Sequence, residues 1–134
     1  MTITYTWLGD FTNAELNDLH AEAFDTRIYD ESEWNWAALV RLHSLGWVVA
    51  REDVKLVGFV NILWDGLVHA WLQDTMVAEP ARHRGVGTEL VAVAVNEARG
   101  AGCEWLHVDF EDHLRPFYFD ACGFTPTNAG LIAL

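Results

Sequence analysis

The chain has 134 residues, the size of one domain, and its 51% hydrophobic content supports a sizeable core and excludes a disordered polymer. Twenty acidic against eight basic residues give a net charge of -12, with Lys55 the single lysine. That balance argues against free binding to nucleic acid or an anionic membrane and suits a cationic small molecule or peptide, although acidity also serves solubility alone. Cys103 and Cys122 have no zinc-ligand spacing and build no disulfide framework, so a reduced, cytoplasmic protein is expected. No segment approaches a membrane span, nothing repeats and no linker divides the chain, so residues 1–134 are expected to form a single domain.

ITYTWL, residues 3 to 8, alternates and is rich in β-branched and aromatic side chains, which predicts a first strand. Thr12 stands three residues before Glu15, a capping-box pattern that opens a helix carrying Leu16, Leu19, Ala23 and Phe24 on its core face. The polar segment DTRIYDESEW is expected to loop into a second helix from about Glu33 to Leu45, ended by Gly46, with Trp36, Leu39, Val40 and His43 sharing its buried face. GWVVARE and KLVGFVNILW predict a hairpin turning at Glu52 and Asp53, and Trp64-Asp65-Gly66 leads into a further strand, HAWLQDTMV, residues 69–77. The next helix runs to about Arg99, with Val86, Leu90, Val93, Ala94 and Ala98 facing the core and Gly100 and Gly102 terminating it. WLHVDF, residues 105–110, predicts a strand, Pro116 a helix ending at Cys122 before Gly123, and GLIAL a short last strand. The predicted order is β-α-α-β-β-β-α-β-α-β, an α/β (α+β) fold with a mixed sheet flanked by helices.

ARHRGVGTEL, residues 81 to 90, concentrates positive charge and bare backbone at one helix start in an otherwise acidic chain. The first turn of a helix carries unpaired N–H groups and the positive end of the dipole. Gly85 and Gly87 allow a diphosphate close to the backbone, Arg82 and Arg84 add charged donors at the rim, and Thr88 adds a hydroxyl. The turn is no P-loop, lacking Gly-Lys-Ser/Thr, and no dinucleotide fingerprint, since position 90 is Leu. A glycine-rich turn with solvated arginines is the other reading that local physics leaves open.

Val77 followed by Arg82-His83-Arg84-Gly85-Val86-Gly87 resembles the acyl-CoA-binding signature of the GNAT N-acetyltransferases, Arg/Gln-x-x-Gly-x-Gly/Ala. Residues 71 to 77 resemble that family's fourth strand, FYFDACGF resembles its aromatic-x-x-x-Gly-Phe ending, and the element order matches over nearly the whole chain. The resemblance implies a mostly antiparallel GNAT-like sheet. It implies acetyl-CoA as cosubstrate, with its pyrophosphate against the backbone of Arg82 to Thr88, His83 and Val86 included. The pantetheine arm would lie where strands 69–77 and 105–110 splay apart, paired with backbone around Met76 and Val77, beside a bulge that positions the acetyl group. Pro80 stands one place later than the family's usual Val-x-Pro spacing.

Direct transfer to an amine needs a base and a donor that polarises the carbonyl, and the leaving thiolate takes its proton from an acid or from water. The family often places the acid, a tyrosine, four residues before the glycine of the Gly-Phe ending; here that position is Phe119, which protonates nothing. Tyr118 stands one place earlier, about 100° around an α-helix. Aromatic packing is its plainer role and proton donation its second. Asp74, where the family frequently has an acidic residue, is a candidate base or amine-orienting group, or a structural carboxylate. His107 and Asp109 share the polar face of the strand 105–110, with Glu111 just beyond, which makes His107 a second base candidate beside a structural reading. His20, His43 and Trp36 do not stand out from core packing. Asp25, Asp30, Glu31 and Glu33 lie where the family builds its acceptor pocket, with Tyr29 or Trp34 as an aromatic wall; a solvated mobile loop is the alternative. No metal is implied. The expected function is acetyl transfer from acetyl-CoA to a small cationic primary amine, with no nucleic-acid or membrane partner and a homodimer as a compatible assembly. The alternatives are a non-catalytic acyl-CoA-binding regulatory module and a protein or peptide N-acetyltransferase.

Overall fold

The computed structural model describes residues 2–134. Along the chain run β1 (Ile3–Trp7), α1 (Asn13–Phe24), α2 (Trp36–His43), β2 (Ser44–Glu52), β3 (Lys55–Trp64), β4 (His69–Val77), α3 (Val86–Gly100), β5 (Trp105–His107) and a π-helix (Pro116–Ala121). The strands lie across one sheet in chain order; β1 to β4 are antiparallel and β5 joins β4 in parallel. A parallel neighbour requires a crossover, which α3 provides.

Helices cover both faces, so the central strand β3 is buried from Leu56 to Ile62. A Cβ on Gly58 would come within 3.0 Å of Leu90 and 3.1 Å of Val86, so α3 lies directly on the backbone there. The next residue, Phe59, points to the opposite face and meets Phe11 at 5.5 Å and Trp36 of α2 at 6.1 Å between ring centres. Helix α3 buries Val86, Leu90, Val91, Ala94 and Ala98; Val91 takes the fully buried place expected of Val93.

The capping box forms: Thr12 Oγ1 accepts from Glu15 N–H, and the Glu15 carboxylate accepts from Thr12 N–H. Arg51 of β2 also grips that carboxylate at 2.8 and 2.9 Å, tying the start of α1 to the sheet. The buried face of α1 holds Asn17, while Phe24 is 51% exposed. Asn17 accepts from the Trp36 indole at 2.9 Å and donates to the Trp34 carbonyl at 3.2 Å, which fixes α2 against α1.

Four elements differ from expectation. Helix α2 starts at Trp36 because Asn35 caps it, accepting from Ala38 N–H at 3.0 Å, and His43 is exposed. Gly46 does not end that helix; it lies inside β2, where a Cβ would stand 2.1 Å from the Trp7 ring. Strand β5 stops at His107 instead of Phe110 because it leaves β4 after three paired residues. The predicted final strand does not form: among the described residues no ladder includes 125–134, and Leu131 and Ile132 are exposed. Pro126 lacks a donor, and β-propensity needs a partner edge that this segment does not meet.

Candidate active site

Beyond β4, Ala78 N–H bonds to Val57 O at 2.8 Å and a short 3-10 turn, Glu79–Ala81, leads to the arginine-glycine segment. His83 and Gly85 take left-handed backbone, at φ +63° and +78°. Gly85 caps α3 without a side chain, so the N–H groups of Val86, Gly87 and Thr88 have no acceptor from the cap. A Cβ on Gly85 would meet nothing within 4 Å; this glycine supplies conformation and open approach. A Cβ on Gly87 would press on the Phe117 ring at 3.1 Å, so the second glycine serves packing of α3 against the π-helix. The two arginines are not free rim charges. Arg82 folds back, donating to Val77 O at 3.3 Å and Glu22 O at 3.4 Å. Arg84 pairs with Glu52 at 2.6 and 3.3 Å, and this holds the Glu52 carboxyl below its usual range. Attraction for a phosphate therefore rests mainly on backbone amides and the helix dipole, and the open backbone at Gly85 fits a diphosphate.

Strand β4 is bulged. Gln73 pairs with Asn61 and Met76 with Phe59, so Asp74 and Thr75 together oppose Val60 alone. Asp74 takes φ +59°, the left-handed first position of such a bulge. Because β5 pairs only with His69, Ala70 and Trp71, the outer edge of β4 is unpaired from the bulge through Met76 and Val77. Met76 itself is buried with Phe59 in the core, and the Val77 carbonyl is shared with Arg82.

Burial pushes the Asp74 carboxyl above its ordinary range, and the Asn61 amide and His20 partly offset this. Asn61 Nδ2 makes no well-formed hydrogen bond, so its effect on Asp74 is that of a near dipole. His20 of α1 is held below its ordinary value by burial, against the pull of the Asp74 charge, and its Nδ1 is buried without a partner among the described residues.

The Tyr118 hydroxyl donates to Thr75 Oγ1, inside the bulge, at 3.2 Å. Its ring is boxed by Phe110, Phe117 and Phe124 at 4.6, 4.7 and 6.0 Å. The aromatic packing expected of it is present, and its hydroxyl lies at the bulge. The π-helix is the reason: Cys122 N–H bonds to Phe117 O at 2.9 Å, five residues back, so one turn takes one residue more than in an α-helix. Tyr118 lies within this wider turn, five residues before Gly123. Burial raises the phenol's pKa and keeps it protonated near neutral pH. Burial also pushes the Cys122 thiol up to about 11, so it is no nucleophile.

His107 stands on the last rung between β4 and β5, with Nε2 2.8 Å from His69 Nδ1 and its ring stacked on Trp71 at 5.1 Å. It belongs to a surface stack rather than to the bulge. Three of the acidic loop's four carboxylates are engaged: Glu33 binds Arg27, Asp30 caps Ser32 and Glu33, and Glu31 accepts from Asn13. Thr75, Glu52 and Asn61 were not legible as site residues; nothing in their sequence spacing marks them.

Residues 10–124 match the profile of the acetyltransferase (GNAT) family. No curated protein sequence matches the chain. Among solved structures, an acetyltransferase of Trypanosoma brucei superposes with a TM-score of 0.80 at 18% identity, covering 98% of this chain and 99% of that one. A GNAT-family acetyltransferase of Streptococcus pneumoniae gives 0.78 at 19% identity, with 99% and 98% covered. The aminoglycoside N-acetyltransferase AAC(6')-Iy, in complex with the bisubstrate analogue CoA-S-monomethyl-acetylneamine, gives 0.76 at 16% identity, with 100% and 98% covered. At these identities the likeness is one of fold.

Proposed function

The chain belongs to the GNAT family of acetyltransferases, enzymes dependent on acetyl-CoA, and from this premise we propose that it moves an acetyl group directly to a small primary amine. The observation that carries the reading is the β4 bulge: Asp74 and Thr75 lie on one unpaired strand edge, with the Tyr118 hydroxyl on Thr75.

Acetyl-CoA supplies the acyl carbon as a thioester, so C–N bond formation accompanies C–S cleavage. The amides of Val86 to Thr88 hold the pyrophosphate at the start of α3, and the open edge of β4 at Met76 and Val77 takes the extended arm. Starting from an ammonium, the nitrogen loses one proton before attack and one after it. Asp74, whose raised pKa brings it nearer the working range of a base, takes these protons and passes them to solvent. Tyr118 gives a proton to the leaving sulfur and regains one from water. One proton is released in net. A backbone N–H at the bulge polarises the carbonyl. His107, engaged with His69, lines the outer wall and moves neither proton.

Mass spectrometry of a broad amine panel incubated with acetyl-CoA tests this. The expected product is a free amine heavier by one acetyl group, with CoA released in step. Acetyl-CoA binding without any product would make the chain a binding module. Product on protein lysines or amino termini alone would move the acceptor from small molecules to proteins.

A further inference from the structure

Strand β3 runs through the middle of the sheet, and every residue from Leu56 to Ile62 is buried. Asn61 is the one polar side chain in that run, at 1% exposure. A buried amide costs stability unless both its ends are bonded, so its place in an apolar strand calls for partners. The acceptor end has one: Ser44, the first residue of β2, donates its hydroxyl to Asn61 Oδ1 at 2.5 Å. With Oδ1 fixed, the donor end, Nδ2, is directed away from Ser44. Nδ2 is buried and makes no well-formed hydrogen bond among the described residues. In the ladder Asn61 stands opposite Gln73, beside the bulge at Asp74 and Thr75, and its amide acts on the Asp74 carboxylate as a donor.

We infer that Asn61, oriented by Ser44, is a positioning residue for Asp74: it presents one neutral N–H donor to the carboxylate in the bulge and keeps it in the form that accepts a proton. The inference rests on Asp74 acting as the base proposed above. Strand β4 packs against β3, β5, α1 and α3. Among the described residues of these elements, His20 of α1 is the titratable group whose charge reaches Asp74, and Tyr118 of the π-helix has its hydroxyl on Thr75. A general base works best with a pKa near the operating pH. Burial without a donor would leave the carboxyl protonated, and a lysine or arginine in place of Asn61 would hold it ionised but weakly basic. A neutral amide offsets part of the effect of burial and adds no charge. Ser44 selects the end: with the amide reversed, Oδ1 would face the carboxylate and repel its ionised form.

The test follows the Asp74 carboxyl by carbon-13 NMR across pH, its signal assigned by its loss in Asp74→Asn. Beside it runs the pH profile of kcat/KM with the panel amine that is acetylated fastest. Asn61→Leu, which keeps the branched shape, should raise the Asp74 midpoint by about one pH unit or more, a tenfold tighter hold on the proton. The acidic limb of the profile should rise with it. Ser44→Ala, which keeps the amide but frees it to turn, should shift the midpoint the same way by less, and Ser44→Thr, which keeps the hydroxyl, should leave it in place. A purely structural role would move the melting temperature and not the midpoint. A midpoint unchanged or lowered in Asn61→Leu overturns the inference, and leaves the base standing where the wild-type limb coincides with the Asp74 titration. Should that variant not fold, Ser44→Ala decides in the same way. A midpoint that rises while the limb stays put upholds the hold of Asn61 on the carboxylate and removes Asp74 as the base. If no amine is acetylated, the NMR midpoints alone decide.

Discussion

The Tyr118 hydroxyl reaches Thr75 Oγ1 at 3.2 Å, joining the C-terminal π-helix to the bulge of β4. The phenol is buried, protonated and aimed at the strand edge where the thioester is proposed to lie. Tyr118→Phe keeps the ring and its three aromatic neighbours. It should lower turnover about ten- to a hundredfold, at or below the foot of the range for general acids, because a thiolate with pKa near ~8.5 leaves tolerably unaided. Acetyl-CoA affinity by calorimetry and the melting temperature should stay near wild type. Wild-type turnover in this variant would reduce Tyr118 to packing.

Asp74→Asn tests the base. Turnover near neutral pH should fall more than acetyl-CoA affinity, and the deficit should narrow at higher pH, where more acceptor is already neutral. Stability gives a separate reading. Burial raises the Asp74 pKa, so the folded chain binds its proton more tightly than the unfolded chain. Its effect thus disfavours the fold as pH rises from the ordinary carboxylate range through the raised value. Urea titrations across that window should show the slope in wild type and not in Asp74→Asn. An unchanged pH–rate profile in the variant would pass the base role to another group.

The two glycines of the turn should separate. Gly85→Glu adds a Cβ that meets nothing within 4 Å but forces a side chain into left-handed backbone and sets a carboxylate before the amides. It should weaken acetyl-CoA binding by about tenfold or more, since even one kT-scale repulsion adds to the lost approach. Gly87→Ala should instead displace Phe117 and lower stability by about 1 kcal/mol. Calorimetry and thermal melts on both variants check the division; equal affinity in Gly85→Glu and wild type would remove the pyrophosphate from this turn.

Glu15 links a helix cap to the sheet. Its hydrogen bonds to Arg51 hold its carboxyl below the ordinary value, against the effect of burial. The linkage is fully present above the ordinary carboxylate pKa and is lost as pH falls through the lowered one. Glu15→Gln should cost about 1 kcal/mol near neutral pH after solvent screening, and nothing at pH values below the lowered pKa. Denaturant midpoints at the two pH values measure it; a pH-independent difference would assign the loss to the cap alone.

Gly46→Ala places a Cβ 2.1 Å from Trp7, so that ring must leave its seat against β2. We expect a loss of about 2 kcal/mol, seen as a lower unfolding midpoint with acetyl-CoA affinity retained. A neutral result would mean that Trp7, at the sheet margin, moves freely.

What the sequence determined by itself was whatever depends on local pattern. Thr12 and Glu15 mark the start of α1, alternation marks β1, apolar runs bounded by turn residues mark β2 to β4, and the Arg-x-x-Gly-x-Gly segment marks the turn before α3. These follow from hydrogen bonds and periodicity within a few residues. Only the tertiary structure decided which groups meet. Arg84 looks like a free cation until β2 brings Glu52 to it. Gly46 reads as a helix stop until Trp7 comes across the sheet, and GLIAL reads as a strand although no edge receives it. Tyr118 stands one residue off the family spacing when counted on an α-helix, and only the fold shows that the segment is a π-turn with the Tyr118 hydroxyl on Thr75. His20 is one helical residue among many until the loop before α2 folds Tyr29 and Trp34 onto it and β4 sets Asp74 nearby. Long-range pairing sets burial and charge, and with them the chemistry of each side chain.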